Sequence, residues 1–532
     1  MMKKAIKKLL AALLAVAMVC AMAIPAFAGT EGDITTWHSF SAFQIFTGNV
    51  EGNVSNDFKI SNVAWGSNIA DDAAAFLDQL KSADTIGPLF ANAHSAQDVL
   101  EVISQWKDSD ANSIAFARFV CHYLYPNANA NPTPAVTGGS DALTFNEAGY
   151  YLIVDTTPFN PGDFDHAYNS FLLKVTKANW REPITPKAEK PSVEKKVFDN
   201  QDGTSTGVFG SSADHAINEK FQFQLTATLP ASTDHAYDYY DTYAVCFKDT
   251  LSQGITYDGL DSVVIESKGN PGNRYDITDS STIDISKLES QNYFEVNIPD
   301  VKTCAEGLDL NKGATITVTY TAHLNDKAYV NTGSGSTENK NSVQLQYSNN
   351  PRPGEYWGTT PKSEVYVYTY QLNNTKYRDD AKEGNELAGA GFHLYSDEEC
   401  KNEVELYQKD GFYFPIKDST DKDKEPVAMF SDNKGQFNVK GLDAGTYYLK
   451  ETNTPAGYSA CKVIPVTIKA DHSGNHVTLS GDLNNKIVNK KAGGITLPST
   501  GGIGTTLFYV VGGGLMVAAI VLLVTKKRME NK

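Results

Sequence analysis

The chain has 532 residues, which is enough for about three domains, and it carries a net charge of −17. So acidic a composition argues against nucleic acid as a partner. No HExxH or P-loop motif is present, which excludes the best-known metalloprotease and nucleotide-binding signatures.

Residues 1–28 have the three parts of a secretory signal peptide. A basic start with Lys3, Lys4, Lys7 and Lys8 precedes an apolar run from Leu9 to Ala23, and the small residues of "AFA" suit cleavage. We therefore predict a secreted protein that keeps five cysteines, namely Cys121, Cys246, Cys304, Cys400 and Cys461. Cys246–Cys304 and Cys400–Cys461 are candidate disulfides because each pair falls in one predicted domain, although the sequence alone cannot confirm either pairing.

The next segment, residues 29–183, mixes helical and strand patterns. "ADDAAAFLDQLKS" (70–82) and "SAQDVLEVISQWKD" (95–108) predict helices, the second with Ser95 and Asp98 at capping-box spacing. "AGYYLIVDT" and "NSFLLKVTK" predict strands. The segment is therefore predicted to be an α+β domain, or a sandwich with helical insertions.

A linker (184–190), which contains Pro186 and is flanked by Pro183 and Pro191, leads into two segments that contain strand patterns almost alone. We predict a middle domain at 191–355 and a smaller last domain at 362–490, both immunoglobulin-like sandwiches, so the fold is mainly β. "KDSTDKDKE" in the last domain predicts a solvated hairpin loop, since its carboxylate spacing is not that of a calcium-binding EF-hand. "HSGNH" (His472, His476) has metal-like spacing, but simple exposure is predicted, and neither a metal nor a cofactor is expected.

The C-terminal segment, residues 491–532, combines a pentapeptide, an apolar span near 504–525 and a basic tail. The pentapeptide consists of Leu497, Pro498, Ser499, Thr500 and Gly501. This arrangement resembles the LPxTG sorting signal of Gram-positive surface proteins. The resemblance implies that a sortase cleaves between Thr500 and Gly501 and passes the threonine acyl group to an amine.

Three polar residues interrupt apolar rows in the middle domain. Side chains alternate between the two faces of a strand, so Lys195 shares a face with Val193 and Val197. By the same alternation, Asp249 follows an apolar row in "TYAVCFKD", and Asn341 begins one in "NKNSVQLQYS". Burial of a lysine, a carboxylate or a carboxamide without a partner is costly, so we predict that the three meet inside the sandwich.

Burial also makes these three side chains reactive toward one another. Desolvation lowers the pKa of a lysine and raises that of an aspartate, which favours a nucleophilic amine and a proton-donating acid. Attack of the amine on the asparagine carbonyl would release ammonia and form an isopeptide bond. The last domain repeats the pattern with Lys376, Glu451 and Asn489, so each domain is predicted to hold one bond.

The chain as a whole resembles the sortase-assembled backbone pilins of Gram-positive bacteria. "HSFSAFQIFTGNV" is similar to their N-terminal domain, and "FKDTLSQGITY" and "NSVQLQYSNNP" to their isopeptide-forming middle domain. "ELAGAGFHLYSD", "YYLKETNTPAGY" and "IVNKK" resemble their last domain, of the collagen-adhesin B type, in which Glu451 matches the glutamate of the E-box. The resemblance implies the same two triads, with Asp249 and Glu451 as catalytic acids.

Backbone pilins also carry a lysine that receives the next subunit. The linker ends "ITPK" at Lys187, with Thr185 where the family has tyrosine, and Lys190 is the alternative acceptor. The resemblance implies a covalent shaft subunit that is attached to the cell wall, with a sortase, identical subunits, peptidoglycan and possible minor pilins as partners. Its only catalysis would be the single turnover of each internal bond. The competing hypothesis is a wall-anchored adhesin or minor pilin that binds a host ligand.

Overall fold

The computed structural model describes residues 39–492 except for 54–55, 108–109, 128, 140–141, 158–170, 176–179, 184–190, 201–206, 234, 270–272, 333–338, 353–356, 417–423 and 475. The predicted signal peptide, both candidate acceptor lysines and the sorting signal lie outside the described residues. No helix in the described part is long and apolar enough to span a membrane. The apolar span predicted at 504–525 is not among those residues.

The N-terminal unit pairs a β-sheet with three helices. Its elements are β1 (Phe40–Asn53), β2 (Asn56–Trp65), α1 (Ala73–Lys81), α2 (Ala96–Ile103), α3 (Ala111–Leu124), β3 (Val136–Gly139), β4 (Ala142–Phe145), β5 (Gly149–Asp155), β6 (Phe171–Val175) and β7 (Trp180–Pro183). The main sheet has the order β2-β1-β5-β6 with β3 beside β1, and β4 pairs with β7. The predicted α+β architecture is confirmed, whereas α3 is a helix that the sequence analysis did not predict.

Strand β5 is buried on both faces, which explains its continuous apolar run. Tyr150, Leu152 and Val154 pack with the helices in one core. Tyr151 and Ile153 pack in a second core on the opposite face. Helices therefore cover one side of the sheet, and the β4–β7 ribbon lies on the other.

The middle sandwich contains β8 (Ser192–Asp199), β9 (Val208–Gly210), β10 (Ser212–Asp214), β11 (Lys220–Leu229), β12 (Val245–Leu251), β13 (Ile255–Ser267), β14 (Arg274–Asp276), β15 (Thr282–Asp284), α4 (Leu288–Gln291), β16 (Tyr293–Ile298), β17 (Ala314–Leu324), β18 (Asn339–Ser348), β19 (Trp357–Thr359) and β20 (Ser363–Tyr368). One sheet has the order β10-β20-β18-β12-β16-β15 with β19 beside β18. The other has the order β14-β13-β17-β11-β8-β9. The inward-facing alternate residues of both sheets form one continuous apolar core.

The last sandwich contains β21 (Tyr370–Arg378), β22 (Gly391–Tyr395), β23 (Leu406–Lys409), β24 (Phe412–Pro415), β25 (Met429–Phe430), β26 (Val439–Leu442), β27 (Gly445–Asn453), β28 (Ile464–Ser473), β29 (His476–Gly481) and β30 (Asn484–Asn489). Its sheets have the orders β23-β24-β26-β21-β30 and β25-β22-β27-β28-β29. Its first and last strands, β21 and β30, pair in parallel. The tandem sandwiches confirm the predicted fold class.

Strand pairing corrects one feature of the predicted organisation. The last domain was expected to begin at 362, but β20 pairs with β18 and β10 and so belongs to the middle sandwich. Strand β18, which carries Asn341, is consequently followed by β19 and β20 in the same sandwich. The alternation in "SEVYVY" predicts a strand but does not indicate to which sandwich that strand belongs, because its pairing partners are distant in sequence.

Candidate functional site

The middle cluster consists of Lys195, Asp249 and Asn341, which the alternation argument predicted to be buried. Lys195 on β8 is 2% exposed, and Asp249 on β12 and Asn341 on β18 are fully buried. Strand β8 lies in one sheet and the neighbouring strands β12 and β18 lie in the other. The lysine therefore reaches across the core of the sandwich to the acid and the amide.

A tyrosine that the sequence analysis did not single out joins the three side chains. Lys195 Nζ donates a hydrogen bond to Asp249 Oδ2 and another, of 3.0 Å, to the Tyr320 hydroxyl. That hydroxyl donates to Asp249 Oδ1 at 3.1 Å and accepts from Asn341 Nδ2 at 2.6 Å. The structure thus brings the lysine and the acid into direct contact, while the hydroxyl connects Asn341 to both.

The electrostatics of the middle cluster favour neutral groups. Burial lowers the pKa of Lys195 to about 8, although the Asp249 carboxylate opposes this shift. Burial raises the pKa of Asp249, and the lysine opposes that shift. The Lys195 ammonium nitrogen also lies 4.8 Å from the centroid of the Phe223 ring, within an apolar wall. Neutralising both partners removes two charges from a buried site, which is why the two pKa values shift in opposite directions.

The last cluster, Lys376, Glu451 and Asn489, is connected directly. Lys376 Nζ donates to Asn489 Oδ1 at 2.6 Å and to Glu451 Oε2 at 3.4 Å. Asn489 Nδ2 donates to Glu451 Oε1 at 2.6 Å. One carboxylate therefore contacts both the amine and the amide nitrogen.

The surroundings of the last cluster are also apolar. Burial lowers the pKa of Lys376, and its Nζ lies 5.0 Å from the centroid of the Phe392 ring. The backbone N–H of Cys461 donates to Glu451 Oε2 at 2.8 Å, which holds the carboxylate in place. Burial raises the pKa of the Cys461 thiol to about 11, so this sulfur is kept protonated and unreactive near neutral pH.

The two clusters differ in how they span the fold. In the last cluster, Lys376 on β21 and Asn489 on β30 lie on paired strands of one sheet, and Glu451 on β27 faces them from the other. A bond there would join two neighbouring strands. A bond between Lys195 and Asn341 would instead join the two sheets.

The candidate disulfides are not present. The four cysteines of the two candidate pairs, all within the described part of the chain, are free thiols. Cys304 Sγ donates to Val301 O at 3.2 Å, whereas Cys246 lies on β12. Cys400 lies in an exposed turn, and Cys461 lies beside Glu451. Membership of the same sandwich did not bring either pair together.

The assembly residues predicted from the sequence receive no structural description. Lys187, Lys190 and the pentapeptide Leu497–Gly501 are all outside the described residues. His472 is half-buried rather than exposed, and its ring nitrogens bond Ser212 Oγ and Asp214 Oδ1, each at 2.8 Å, whereas His476 is exposed, as predicted.

Two family models match the C-terminal part of the chain. Residues 372–482 match a prealbumin-like fold domain, which contains Lys376 and Glu451. Residues 489–531 match the LPXTG cell wall anchor motif, which contains the predicted pentapeptide.

The trypsin-resistant surface T6 protein of Streptococcus pyogenes serotype M6 is 26% identical over 362 residues, which are 62% of this chain and 58% of that relative. Among solved structures, the T6 backbone pilin of serotype M6 S. pyogenes covers 88% of this chain and 100% of its own, with 16% identity and a TM-score of 0.45. A C-terminal fragment of the major pilin GBS80 of Streptococcus agalactiae covers 57% of this chain and 100% of its own, with 21% identity and a TM-score of 0.39. The resemblance predicted from the sequence is confirmed: the chain is similar to these Gram-positive surface proteins and carries a prealbumin-like domain and a cell wall anchor motif.

Proposed function

We propose that the chain is the shaft subunit of a covalent cell-surface pilus, stabilised by one self-formed isopeptide bond in each sandwich. The observation that carries this proposal is the presence of two buried clusters of lysine, acid and asparagine in a chain with a cell wall anchor motif. An unpaired buried lysine would destabilise a sandwich, and conversion to an amide removes that cost. Both bonds would strengthen a fibre under tension because they are covalent. Unlike disulfides, they cannot be reduced.

The last cluster has the contacts that the reaction needs. The neutral amine of Lys376 attacks Cγ of Asn489, a new C–N bond forms, and the Cγ–Nδ2 bond breaks. The proton lost by the amine leaves with Nδ2 as ammonia. Glu451 contacts both nitrogens, so its carboxyl group can carry that proton from one to the other. Folding supplies the proximity, and no cofactor is consumed.

The same step in the middle cluster uses Asp249 as the acid. Asn341 Oδ1 is buried and has no hydrogen-bond partner among the described residues. Negative charge develops on this oxygen when Lys195 attacks the carbonyl carbon. A proton from neutral Asp249, whose pKa burial raises, would stabilise that oxygen. Tyr320 contacts all three side chains and is a positioning residue for this step.

Assembly would join the sorting signal of one subunit to the linker of the next subunit. A sortase would form an acyl-enzyme at Thr500, and the amine of Lys187 on the next subunit would displace the enzyme. Lys190 is the alternative acceptor. Lys195 is unsuitable because it is 2% exposed and engaged with Asp249. Peptidoglycan would receive the last subunit, and minor pilins are further candidate partners.

The test is polymerisation of the full chain by its own sortase in a Gram-positive host. We expect a ladder of high-mass species on denaturing gels, and we expect Lys187→Ala to abolish it while the monomer stays folded and wall-attached. Lys190→Ala is the matched control and should keep the ladder. A ladder that survives Lys187→Ala but not Lys190→Ala would move the acceptor to Lys190. Wild type that forms no ladder would contradict the shaft function and favour an adhesin.

A further inference from the structure

We propose that His215, Glu219 and Asp443 bind one divalent cation of the zinc or manganese class at the junction between the middle and last sandwiches. The nearest nitrogen and oxygen donors of these three side chains lie within 4.8 Å of one another. Two ligands of one such ion are at most about 4.4 Å apart, so small side-chain adjustments suffice. One imidazole and two carboxylates suit zinc or manganese better than calcium.

The strongest observation is the state of the His215 ring, which is buried and 1% exposed. Its Nε2 lies 2.7 Å from the carbonyl oxygen of Phe198, so this nitrogen carries a proton and donates it. Its Nδ1 is buried and has no hydrogen-bond partner among the residues that the structure describes, and the nearest Glu219 oxygen is 3.8 Å away. A histidine that donates one N–H to a backbone carbonyl and directs its other nitrogen at carboxylates has the usual arrangement of a metal ligand.

The ring is also held rigidly. It stacks on Phe221 with centroids 4.1 Å apart and planes 2° from parallel. The backbone N–H of His215 donates to Tyr368 O at 3.0 Å, which ties it to the end of β20. A fixed ring orientation lowers the entropic cost of binding an ion.

The charge of the junction favours a cation. Asp443 is 8% exposed, and the backbone N–H of Ala444 donates both to Asp443 Oδ1 at 2.8 Å and to Asp214 Oδ2 at 3.1 Å, so two buried carboxylates share one donor. Asn200 Nδ2 donates to Glu219 Oε1 at 3.0 Å and to Asp443 Oδ2 at 3.3 Å, so one amide partly compensates two acids. A divalent ion between them would compensate both charges directly.

A neighbouring group provides a contrast within the same junction. Asp199, Asp214 and His472 have donors that are equally close together. Both ring nitrogens of His472, however, already have hydrogen-bond partners, namely Ser212 Oγ and Asp214 Oδ1. We therefore assign the cation to the group of His215, whose Nδ1 has no hydrogen-bond partner among the described residues.

The ion would connect two units, because His215 and Glu219 follow β10 of the middle sandwich and Asp443 follows β26 of the last. The units already approach closely there. Ile217 N donates to Gly441 O at 2.9 Å, and a Cβ on Gly441 would lie 2.6 Å from the Ile217 side chain. A bound cation would therefore stiffen the angle between successive sandwiches.

The experiment titrates Zn²⁺ into the full chain, purified in detergent and freed of metal with a chelator. We expect one tightly bound equivalent and a rise in melting temperature. His215→Gln and Asp443→Asn should each weaken binding at least tenfold, and the matched control His472→Gln should change it less than twofold. Binding by wild type no tighter than by His215→Gln would overturn the proposal, as would an equal loss in His472→Gln.

A measurement on wild type tests the identity of the ligands even if the variants do not fold. X-ray absorption of the Zn²⁺-loaded chain should show one imidazole with oxygen ligands around the metal. A shell with no imidazole, with several imidazoles or with sulfur would overturn the assignment.

Discussion

The substitution Glu451→Gln tests the chemistry of the last cluster while it preserves the volume of the side chain. Glutamine cannot carry the proton from Lys376 to the leaving nitrogen of Asn489, so the bond should not form. Wild type should be lighter than its sequence by one ammonia for each sandwich. The variant should lack one of these losses, and peptide mapping should show Lys376 and Asn489 unmodified.

The magnitude of the stability change follows from the loop that the bond closes. Lys376 and Asn489 are 113 positions apart in the sequence. A cross-link over such a loop removes about 5 kcal/mol of denatured-state chain entropy at 25 °C, or less if the denatured chain is compact. For a unit of this size, the loss corresponds to a fall in melting temperature on the order of 15 °C. The unreacted lysine, still buried, would add to the destabilisation.

The assay combines intact mass, calorimetry and limited proteolysis. The transition of the last sandwich should move to lower temperature and its cleavage should accelerate, while the middle sandwich changes little. Asp249→Asn is the matched control and should have the opposite selectivity. Wild type with no ammonia loss, or a Glu451→Gln variant with the wild-type losses, would refute the reasoning. Equal loosening of both sandwiches would show that they do not unfold independently.

Two further predictions concern the middle cluster. Tyr320→Phe removes the hydroxyl that joins the three side chains, so formation of the Lys195–Asn341 bond should slow by about tenfold, roughly the value of one hydrogen bond, in a mass-spectrometric time course. Asn341→Ala leaves Lys195 unbonded, with its pKa lowered by burial from 10.5 to about 8. The unfolded chain then binds more protons between these pH values, so the variant should gain stability as the pH rises from about 8 to about 10.5 and lose it as the pH falls back. Wild type, whose Lys195 nitrogen is an amide, should lack this rise in chemical denaturation, and an identical rise in both would contradict the bond.

The strand periodicity alone predicted that the polar residues of the two clusters are buried. Lys195, Asp249 and Asn341 share faces with apolar neighbours at every second position, and burial follows directly from that alternation. The same holds for Lys376 and Asn489. A period of two is a local property of the backbone, so one sequence is sufficient to recognise it.

Tyr320 was missed although the same rule places it inside. It follows Ile316 and Val318 at alternate positions of β17. A tyrosine in such an apolar row is typical of an ordinary core residue. Only the contacts of its hydroxyl distinguish it from a core residue. A buried tyrosine opposite a predicted lysine–acid pair was the available signal.

The junction between the sandwiches could not be predicted for a different reason. His215 and Glu219 meet Asp443, which lies more than two hundred positions later, and no periodicity relates these segments. The pairing of β20 with β10 and β18 is equally non-local. Such features depend on how complete units pack.

The strand order changes how tension would pass through a proposed fibre. In the last sandwich, the Lys376–Asn489 bond would link the first strand to the last, so load would bypass everything between them. In the middle sandwich, the Lys195–Asn341 bond would end at β18, and the chain beyond it would still cross β19 and β20 before reaching Lys376. This stretch would be held only by noncovalent contacts, namely its hydrogen bonds and the packing of Val365 and Val367 in the core. The junction between the two sandwiches lies against β20, because β20 pairs with β10 and Tyr368 O accepts from His215 N. A cation bound by His215 would therefore brace β20, which would carry load without a covalent bypass.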